Sequence, residues 1–111
     1  MHIYKILRPA EWAELQARGE TAGAPVDVAD GFVHFSTAAQ LPGTAAKHFA
    51  GEDGLILAAV DTGALGDALR WEVSRGGAEF PHLYAALRRD DVTWHAPLPL
   101  VDGVHVFPAD L

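Results

Sequence analysis

The sequence contains no cysteine, and no apolar run approaches the length needed to span a membrane. The lack of cysteine excludes a disulfide scaffold, a thiolate zinc site and a thiol nucleophile. Residues 1–5 also lack the long apolar core of a signal peptide. From these absences we expect a cytoplasmic protein that has no membrane partner.

Basic residues are scarce, with 8 Lys and Arg against 15 Asp and Glu, which gives a formal net charge of −7. Nucleic-acid binding needs clustered cations to contact phosphates. The one local cluster, Arg88-Arg89, is followed at once by Asp90-Asp91. We therefore expect no nucleic-acid partner, and any anionic ligand should be small and bound locally. The composition leaves the oligomeric state undetermined.

The chain has 111 residues, of which 50% are hydrophobic and 21% are charged. This composition is ordinary for a soluble globular protein, and the length is close to the commonest domain size. We therefore expect a single domain over residues 1–111 with a substantial hydrophobic core.

The first part of the chain predicts one strand, one helix and one loop. Period-2 alternation favours a strand over residues 2–7, and Pro9 then marks the start of a helix that Gly19 ends. Residues 20–30 are mostly small or polar and include Pro25, which predicts a surface loop. A long loop within a compact domain is often functional.

A second strand and a helix start follow directly. Phe, Val and Phe favour a strand over residues 32–36. Thr37 and Gln40 have the spacing of a capping box, which starts a helical turn. Pro42-Gly43 should interrupt that helix, so we expect a separate helical piece over residues 44–49.

The rest of the chain is rich in strands. The unbroken apolar run 55–60 predicts a central strand buried on both faces, and Pro97 and Pro99 confine a later strand to an edge. Further strands are predicted over residues 69–73, 82–87 and 92–98, with a hairpin return over 104–107.

Together these elements predict an α+β fold with about six or seven strands and two helices early in the chain. The helices should cover one side of a mostly antiparallel, curved sheet.

Alternation places Phe32, His34 and Ser36 on one side of the strand over residues 32–36. His34 and Ser36 then lie near its C-terminal end, beside the free N–H groups of the helix start at Thr37. Such N–H groups favour anions. The alternative is that His34 is a packed histidine satisfied by one backbone carbonyl and that Ser36 is only a second cap.

Two later polar pairs could meet this strand. Arg70 and Glu72 share one strand face, and His82 and Tyr84 share another. Arginine offers a planar fork for phosphate or carboxylate, glutamate can act as a base or hold a ribose hydroxyl, and histidine titrates near neutrality. The alternatives are a solvated salt bridge between Arg70 and Glu72, and a turn histidine after proline.

We therefore hypothesise a cleft for a small anionic or nucleotide-like ligand, lined by His34, Ser36, Arg70, Glu72 and His82. The candidate catalytic residues are His34, Glu72 and His82. The candidate ligand-binding residues are Ser36, Thr37, Arg70 and Tyr84. The sequence identifies no cofactor and gives no recognised pattern of metal ligands.

Three other hypotheses remain open. The polar residues could form a structural network in a non-catalytic binding or interaction module. His34, Glu72 and His82 could converge as a facial triad of metal ligands. Ser36 could act in acyl transfer, although it lacks the Gly-x-Ser-x-Gly elbow.

From Ile3 to Pro108 the chain resembles a bacterial family known as domain of unknown function 952. The resemblance rests on four blocks: Ile3-Tyr4-Lys5-Ile6, Asp30 to Thr37 with Gln40, Arg70-Trp71-Glu72, and Phe80-Pro81-His82-Leu83-Tyr84. It implies a fold similar to the ADP-ribosyltransferases, with a split, curved sheet around a cleft. It implies no established reaction.

Within that wider fold, Val33-His34-Phe35-Ser36 is similar to the His-Leu-Ser strand of the tRNA 2′-phosphotransferases. Ser36-Thr37 resembles the Ser-Thr-Ser motif of arginine-type transferases, and Glu72 would stand where a ribose-binding or catalytic glutamate is needed. This similarity to enzymes of the wider fold, and not the family match, implies ADP-ribosyl- or phosphoryl-transfer-like chemistry, with a toxin-like transferase as a third interpretation.

Overall fold

The computed structural model describes residues 1–111, apart from the side chain of Arg75. The described residues form three α-helices and ten strands. In chain order these are β1 (His2–Leu7), α1 (Pro9–Arg18), β2 (Glu20–Thr21), α2 (Pro25–Asp30), β3 (Val33–His34), α3 (Leu41–His48), β4 (Leu55–Asp61), β5 (Leu69–Val73), β6 (Glu79–Leu83), β7 (Leu87–Arg88), β8 (Val92–Leu98), β9 (Leu100–Val101) and β10 (Val104–His105).

One three-stranded sheet has the order β1-β4-β8, and both of its pairings are antiparallel. The apolar strand β4 lies in the middle, as its composition predicts, because it must bury side chains on both faces. The prediction that the proline-containing strand lies at an edge is also confirmed: β8 is an edge strand, so the missing N–H of Pro97 removes no hydrogen bond inside the sheet.

A second three-stranded sheet has the order β3-β6-β5 and is also antiparallel. A single β-bridge joins it to the first sheet: Tyr4 N donates to Ser36 O at 2.8 Å, and Ser36 N donates to Tyr4 O at 2.9 Å. The six strands therefore form two antiparallel sheets that touch at one bridge and separate beside it.

The helices α1 and α3 pack on opposite faces of the β1-β4-β8 sheet. Leu15 of α1 packs in a cluster with Ile3 and Leu7, whereas Leu41 of α3 packs in a second cluster with Tyr4. Odd and even residues of a strand face opposite sides. The prediction that the helices cover one side is therefore wrong, because β1 and β4 are apolar on both faces and each face needs a cover.

The helix α1 confirms the predicted boundaries. Pro9 lies in the first turn, where its missing N–H costs no intrahelical bond, and Gly19 adopts the left-handed conformation (φ 78°) beyond the last turn. The N–H of Gly19 donates to Leu15 O at 2.9 Å. The predicted strand 69–73 is likewise confirmed, and the predicted hairpin forms where β10 pairs with β9.

The predicted loop over residues 20–30 is wrong, because it contains β2, which pairs with β7, and the helix α2. Pro25 starts α2, and Asp27 at its third position accepts a hydrogen bond from Ala24 N at 2.6 Å. A proline followed by an acid at this spacing is a helix-start signal. The segment is thus a short helix held by its own acidic side chain.

Two other predicted boundaries are wrong. α3 runs through Pro42-Gly43, since proline is tolerated in a first helical turn. The predicted strand 82–87 is two strands: β6 ends at Leu83, and Leu87 begins β7, which pairs with β2 instead.

Among the described residues, no helix is long and apolar enough to cross a membrane.

Candidate functional site

A cleft of about 850 Å³ lies where the two three-stranded sheets separate. β1 forms one side, β6 and the segment after β3 form the other, and α2 and α3 complete the walls. The polar residues that line it include Lys5, Asp27, His34, Ser36, Lys47 and His82.

Asp27 joins the two sides of this cleft beneath its surface. Its side chain is 0% exposed, and Lys5 Nζ, itself on a side chain 7% exposed, donates to Oδ2 at 2.8 Å. On the other oxygen, Oδ1 accepts from His34 N at 3.0 Å and faces His34 Nδ1 at 2.5 Å. One buried carboxylate therefore ties β1, α2 and β3 together.

The charge on Asp27 is stabilised in spite of its burial. Burial alone raises the pKa of a carboxyl group, but the hydrogen bond from His34 and the charge of Lys5 outweigh it and lower the pKa of Asp27 to about 2. His34 Nε2 also lies 3.0 Å from Asp30 Oδ2. Both ring nitrogens of His34 thus face carboxylates.

The backbone beside Asp27 leaves no room for a side chain. A Cβ added at Gly23 (φ 95°) would lie 2.2 Å from Asp27 Oδ2, whereas one added at Gly31 (φ 83°) would have no atom within 4 Å.

Gly23→Ala should therefore be more destabilising than Gly31→Ala. Both variants carry the cost of an L-residue at positive φ, about 1–2 kcal/mol, but only the first forces the Asp27 carboxylate to move, for about a further 1–3 kcal/mol. Urea unfolding of the two variants measures this difference directly. Equal losses in both variants would mean that Asp27 is not fixed where the structure places it.

A second polar group lies on the central strand β6, the residue that follows it, and the edge strand β5. His82 Nδ1 lies 2.9 Å from Glu72 Oε1, and Tyr84 Oη donates to the same oxygen at 2.7 Å. These hydrogen bonds, that of Tyr84 first and that of His82 next, lower the pKa of Glu72, and Glu72 in turn raises the pKa of Tyr84. Glu72 is thus an ionised acceptor that fixes the ring of His82.

The second ring nitrogen of His82, Nε2, makes no hydrogen bond among the described residues. His82 is 4% exposed, and its Nε2 is buried without a hydrogen-bond partner among the described residues. Phe32 stacks on the ring with centroids 4.1 Å apart, which holds the ring's plane. His82 also lines the cleft, so the unpaired Nε2 belongs to a residue of the cleft wall.

The register brings the predicted residues onto one sheet face but not into one cleft. His34 is opposite His82, and His82 is opposite Arg70, so the three residues share a face. The cleft is lined by His34, Ser36 and His82, but not by Arg70 or Glu72. The prediction that these two line it is wrong, because β5 lies beyond β6, about two strand spacings (roughly 10 Å) from β3.

The remaining predicted residues have local roles. The guanidinium of Arg70 lies over the Tyr84 ring, 4.9 Å from its centroid. Ser36 Oγ lies 2.8 Å from Thr44 Oγ1. Thr37 and Gln40 form the predicted capping box, with Thr37 N donating to Gln40 Oε1 at 3.0 Å, and Thr37 does not line the cleft.

The hypothesis of a metal triad is not supported. In the part of the chain that the structure describes, no three histidine, aspartate or glutamate side chains are grouped as metal ligands. Both nitrogens of His34 face carboxylates, and Glu72 accepts from two donors, so neither has the free geometry of a facial triad.

The comparisons with known proteins agree on one relationship. The model of the family described as "Protein of unknown function (DUF952)" matches residues 6–95. The chain belongs to the DUF952 family. This confirms the resemblance carried by the four sequence blocks. No curated protein matches the chain.

Solved structures of a Caulobacter crescentus protein, CC0527, are similar to this DUF952 chain over nearly its whole length. The X-ray structure is 50% identical, covers 96% of this chain and 94% of its own, and has a TM-score of 0.91. The solution NMR structure is 52% identical, covers 93% and 90% respectively, and has a TM-score of 0.83. The fold described above is thus shared with an experimentally determined relative.

The central residue of this DUF952 site, Asp27, was missed by sequence reasoning. A signal was present in β1, where Lys5 lies among the buried residues Ile3, Tyr4, Ile6 and Leu7. A lysine in a buried strand needs an acidic partner. Asp27, three residues after a helix-starting Ala24-Pro25, is such a partner, but the assignment of residues 20–30 to a loop obscured it.

Proposed function

We propose that this chain binds a small anionic or nucleotide-like ligand in the cleft and that His82 transfers a proton there. The observation that carries the proposal is the buried Nε2 of His82, which has no partner among the described residues and belongs to a residue that lines the cleft. An unpaired buried polar atom is costly, and such atoms concentrate at functional sites.

The state of His82 follows from its neighbours. Glu72 is an ionised acceptor, so Nδ1 of His82 carries a proton and donates it. In the neutral ring, Nε2 then holds the lone pair and can accept a proton from a ligand hydroxyl or from water. Glu72 acts as a positioning residue in this proposal, and Tyr84 holds Glu72 in place.

The lining of the cleft supports the ligand class. Lys47, in the last turn of α3, lines the cleft and takes part in no ion pair among the described residues, whereas Arg8, which also lines the cleft, is held by Glu52 at 2.8 Å. Phe49 and Phe80 supply apolar surface of the kind that packs on a base or sugar ring. Lys47 is therefore the cation that we assign to the anionic group.

The likeness to ADP-ribosyltransferases belongs to this proposal as well. It is supported by two antiparallel sheets that meet at a single bridge with a cleft beside it. Glu72, however, accepts hydrogen bonds from His82 and Tyr84 and lies outside the cleft, which favours a positioning role over direct contact with a ribose. We therefore favour a transfer or hydrolysis reaction that depends on His82 as general base.

A structural network remains the better interpretation for the residues around Asp27. Asp27 accepts four hydrogen bonds, and His34 is engaged at both ring nitrogens. We therefore assign His34 to the support of the cleft wall, in place of the catalytic role predicted from its sequence.

A thermal-shift screen with nucleotides, sugar phosphates and NAD tests the proposal. A ligand at about 100-fold over its dissociation constant should add about 2.7 kcal/mol to the free energy of unfolding. The shift should shrink in Lys47→Ala and His82→Ala and persist in Arg70→Ala, which alters a cation outside the cleft. No shift with any of the three classes, or a shift that survives both cleft substitutions in full, would refute it.

A further inference from the structure

The strand β5 is an open sheet edge that carries apolar side chains into solvent. It ends the strand order β3-β6-β5, and it contains neither proline nor glycine. Trp71 is 38% exposed and Val73 is 69% exposed, both on the face opposite Arg70 and Glu72. The other sheet has two edges: β8, which is protected by Pro97, and β1, which is bridged to Ser36, so β5 is the long edge available for pairing.

The hydrogen bonds of β5 leave alternate backbone groups free. Trp71 is opposite Pro81, which has no N–H, and Pro81 O accepts from Phe35 N on the other side of β6 at 3.0 Å. In an antiparallel ladder, bonded and non-bonded pairs alternate. The backbone groups of Arg70 and Glu72 therefore face β6, while those of residues 69, 71 and 73 face outward.

The side chains of β5 are complementary to a second copy of the same strand. In an antiparallel pair with its two-fold axis at Trp71, the outward groups of residues 69, 71 and 73 meet those of residues 73, 71 and 69. Arg70 of each copy then lies opposite Glu72 of the other, in a close non-hydrogen-bonded pair, and Leu69 lies opposite Val73. Charged residues on an edge normally prevent pairing, but in this register they attract.

We propose that two copies of this chain pair through β5 in this register to form a continuous six-stranded sheet from two β3-β6-β5 sheets. The inference is independent of the proposed function, because it uses the edge of the sheet and not the cleft. It has one consequence for the site. Glu72 uses only Oε1 to hold His82 and Tyr84, so Arg70 of the second copy has Oε2 of Glu72 within its reach and would steady the positioning carboxylate.

Hydrogen exchange read by NMR, together with sedimentation over concentrations up to about 1 mM, tests the pairing. We expect a concentration-dependent dimer in which the amides of residues 69, 71 and 73 become protected as the dimer forms. The amides of Arg70 and Glu72 should be protected at every concentration, because β6 already holds them. A chain that stays monomeric throughout, or a dimer whose amides at 69, 71 and 73 exchange freely, would overturn the proposal.

Charge reversal gives a second measurement that does not depend on exchange. Arg70→Glu places like charges opposite each other twice and should weaken dimerisation about tenfold or more. Adding Glu72→Arg to that variant should restore it. Arg18→Glu, an exposed reversal at the end of α1, changes the net charge equally and should leave dimerisation unaltered. A dimer insensitive to Arg70→Glu would place the interface elsewhere.

Discussion

Replacing Asp27 by Asn should lower the free energy of unfolding by about 3–5 kcal/mol, the range for a buried ion pair that loses one partner. The side chain of Lys5 is buried and would lose its counter-charge. An asparagine amide would also present N–H donors to a site whose neighbours, Lys5 Nζ and Ala24 N, are themselves donors. Urea unfolding at neutral pH measures the loss.

The acid stability of the parent chain provides the matching pH test. The pKa of Asp27 is lowered from its ordinary 3.8 to about 2 in the folded state. Its contribution, about 2 kcal/mol, is therefore fully present above pH 4 and is lost as the pH falls from about 4 to 2. In Asp27→Asn the loss of stability between pH 4 and 2 should be smaller by this contribution.

Two variants control for other effects of this substitution. Asp30→Asn removes an acid from the same helix, but its side chain is half-exposed, and we expect a loss below about 1 kcal/mol. Lys5→Met combined with Asp27→Asn should recover part of the loss, since it removes the unpaired charge. An Asp27→Asn variant as stable as Asp30→Asn would contradict the role given to this carboxylate.

Replacing His82 by Ala should lower the turnover of any substrate found in the ligand screen by about 10²–10⁴-fold, the usual contribution of a general acid or base. The expectation follows from a cleft-lining ring that Glu72 and Phe32 hold and whose Nε2 has no partner among the described residues. Steady-state kinetics with a folding check on the variant measures it.

The control for burial is His105→Ala. His105 is also buried, but its Nε2 is satisfied by Glu52 O at 2.7 Å. The His105→Ala variant should have a lower free energy of unfolding but an unchanged turnover. Glu72→Gln should give an intermediate loss and move the pH profile, because it changes the group that fixes the His82 proton. Full activity in His82→Ala would exclude a proton-transfer role for this residue.

The sequence predicted correctly the strands and the helix whose bounds are set by neighbouring residues. β1, β5, β8 and α1 have the predicted bounds because alternation, a proline start and a glycine end act within a few residues. α2 could not be recovered in the same way. Its six residues are too few to form an apolar stripe. The helix is held in place by its buried Asp27, which forms an ion pair with Lys5, a residue distant in the sequence.

The candidate site was predictable in part. The two-residue spacing of Glu72 from Arg70, and of Tyr84 from His82, correctly placed these side chains on one sheet face. The order of the strands was not readable from spacing, and that order decides which residues reach the cleft. His34 faces it from β3, whereas Arg70 on β5 is too distant.

The position of the proton on His82 is measured most directly by long-range ¹⁵N–¹H NMR of the histidine rings. We predict that His82 carries its proton on Nδ1, with an unprotonated Nε2 whose chemical shift moves when a ligand enters the cleft. His105, whose Nε2 donates to a carbonyl, should show the opposite tautomer in the same spectrum and stay unchanged. A neutral His82 protonated on Nε2, or an Nε2 chemical shift that does not change when a ligand binds, would contradict the site described here.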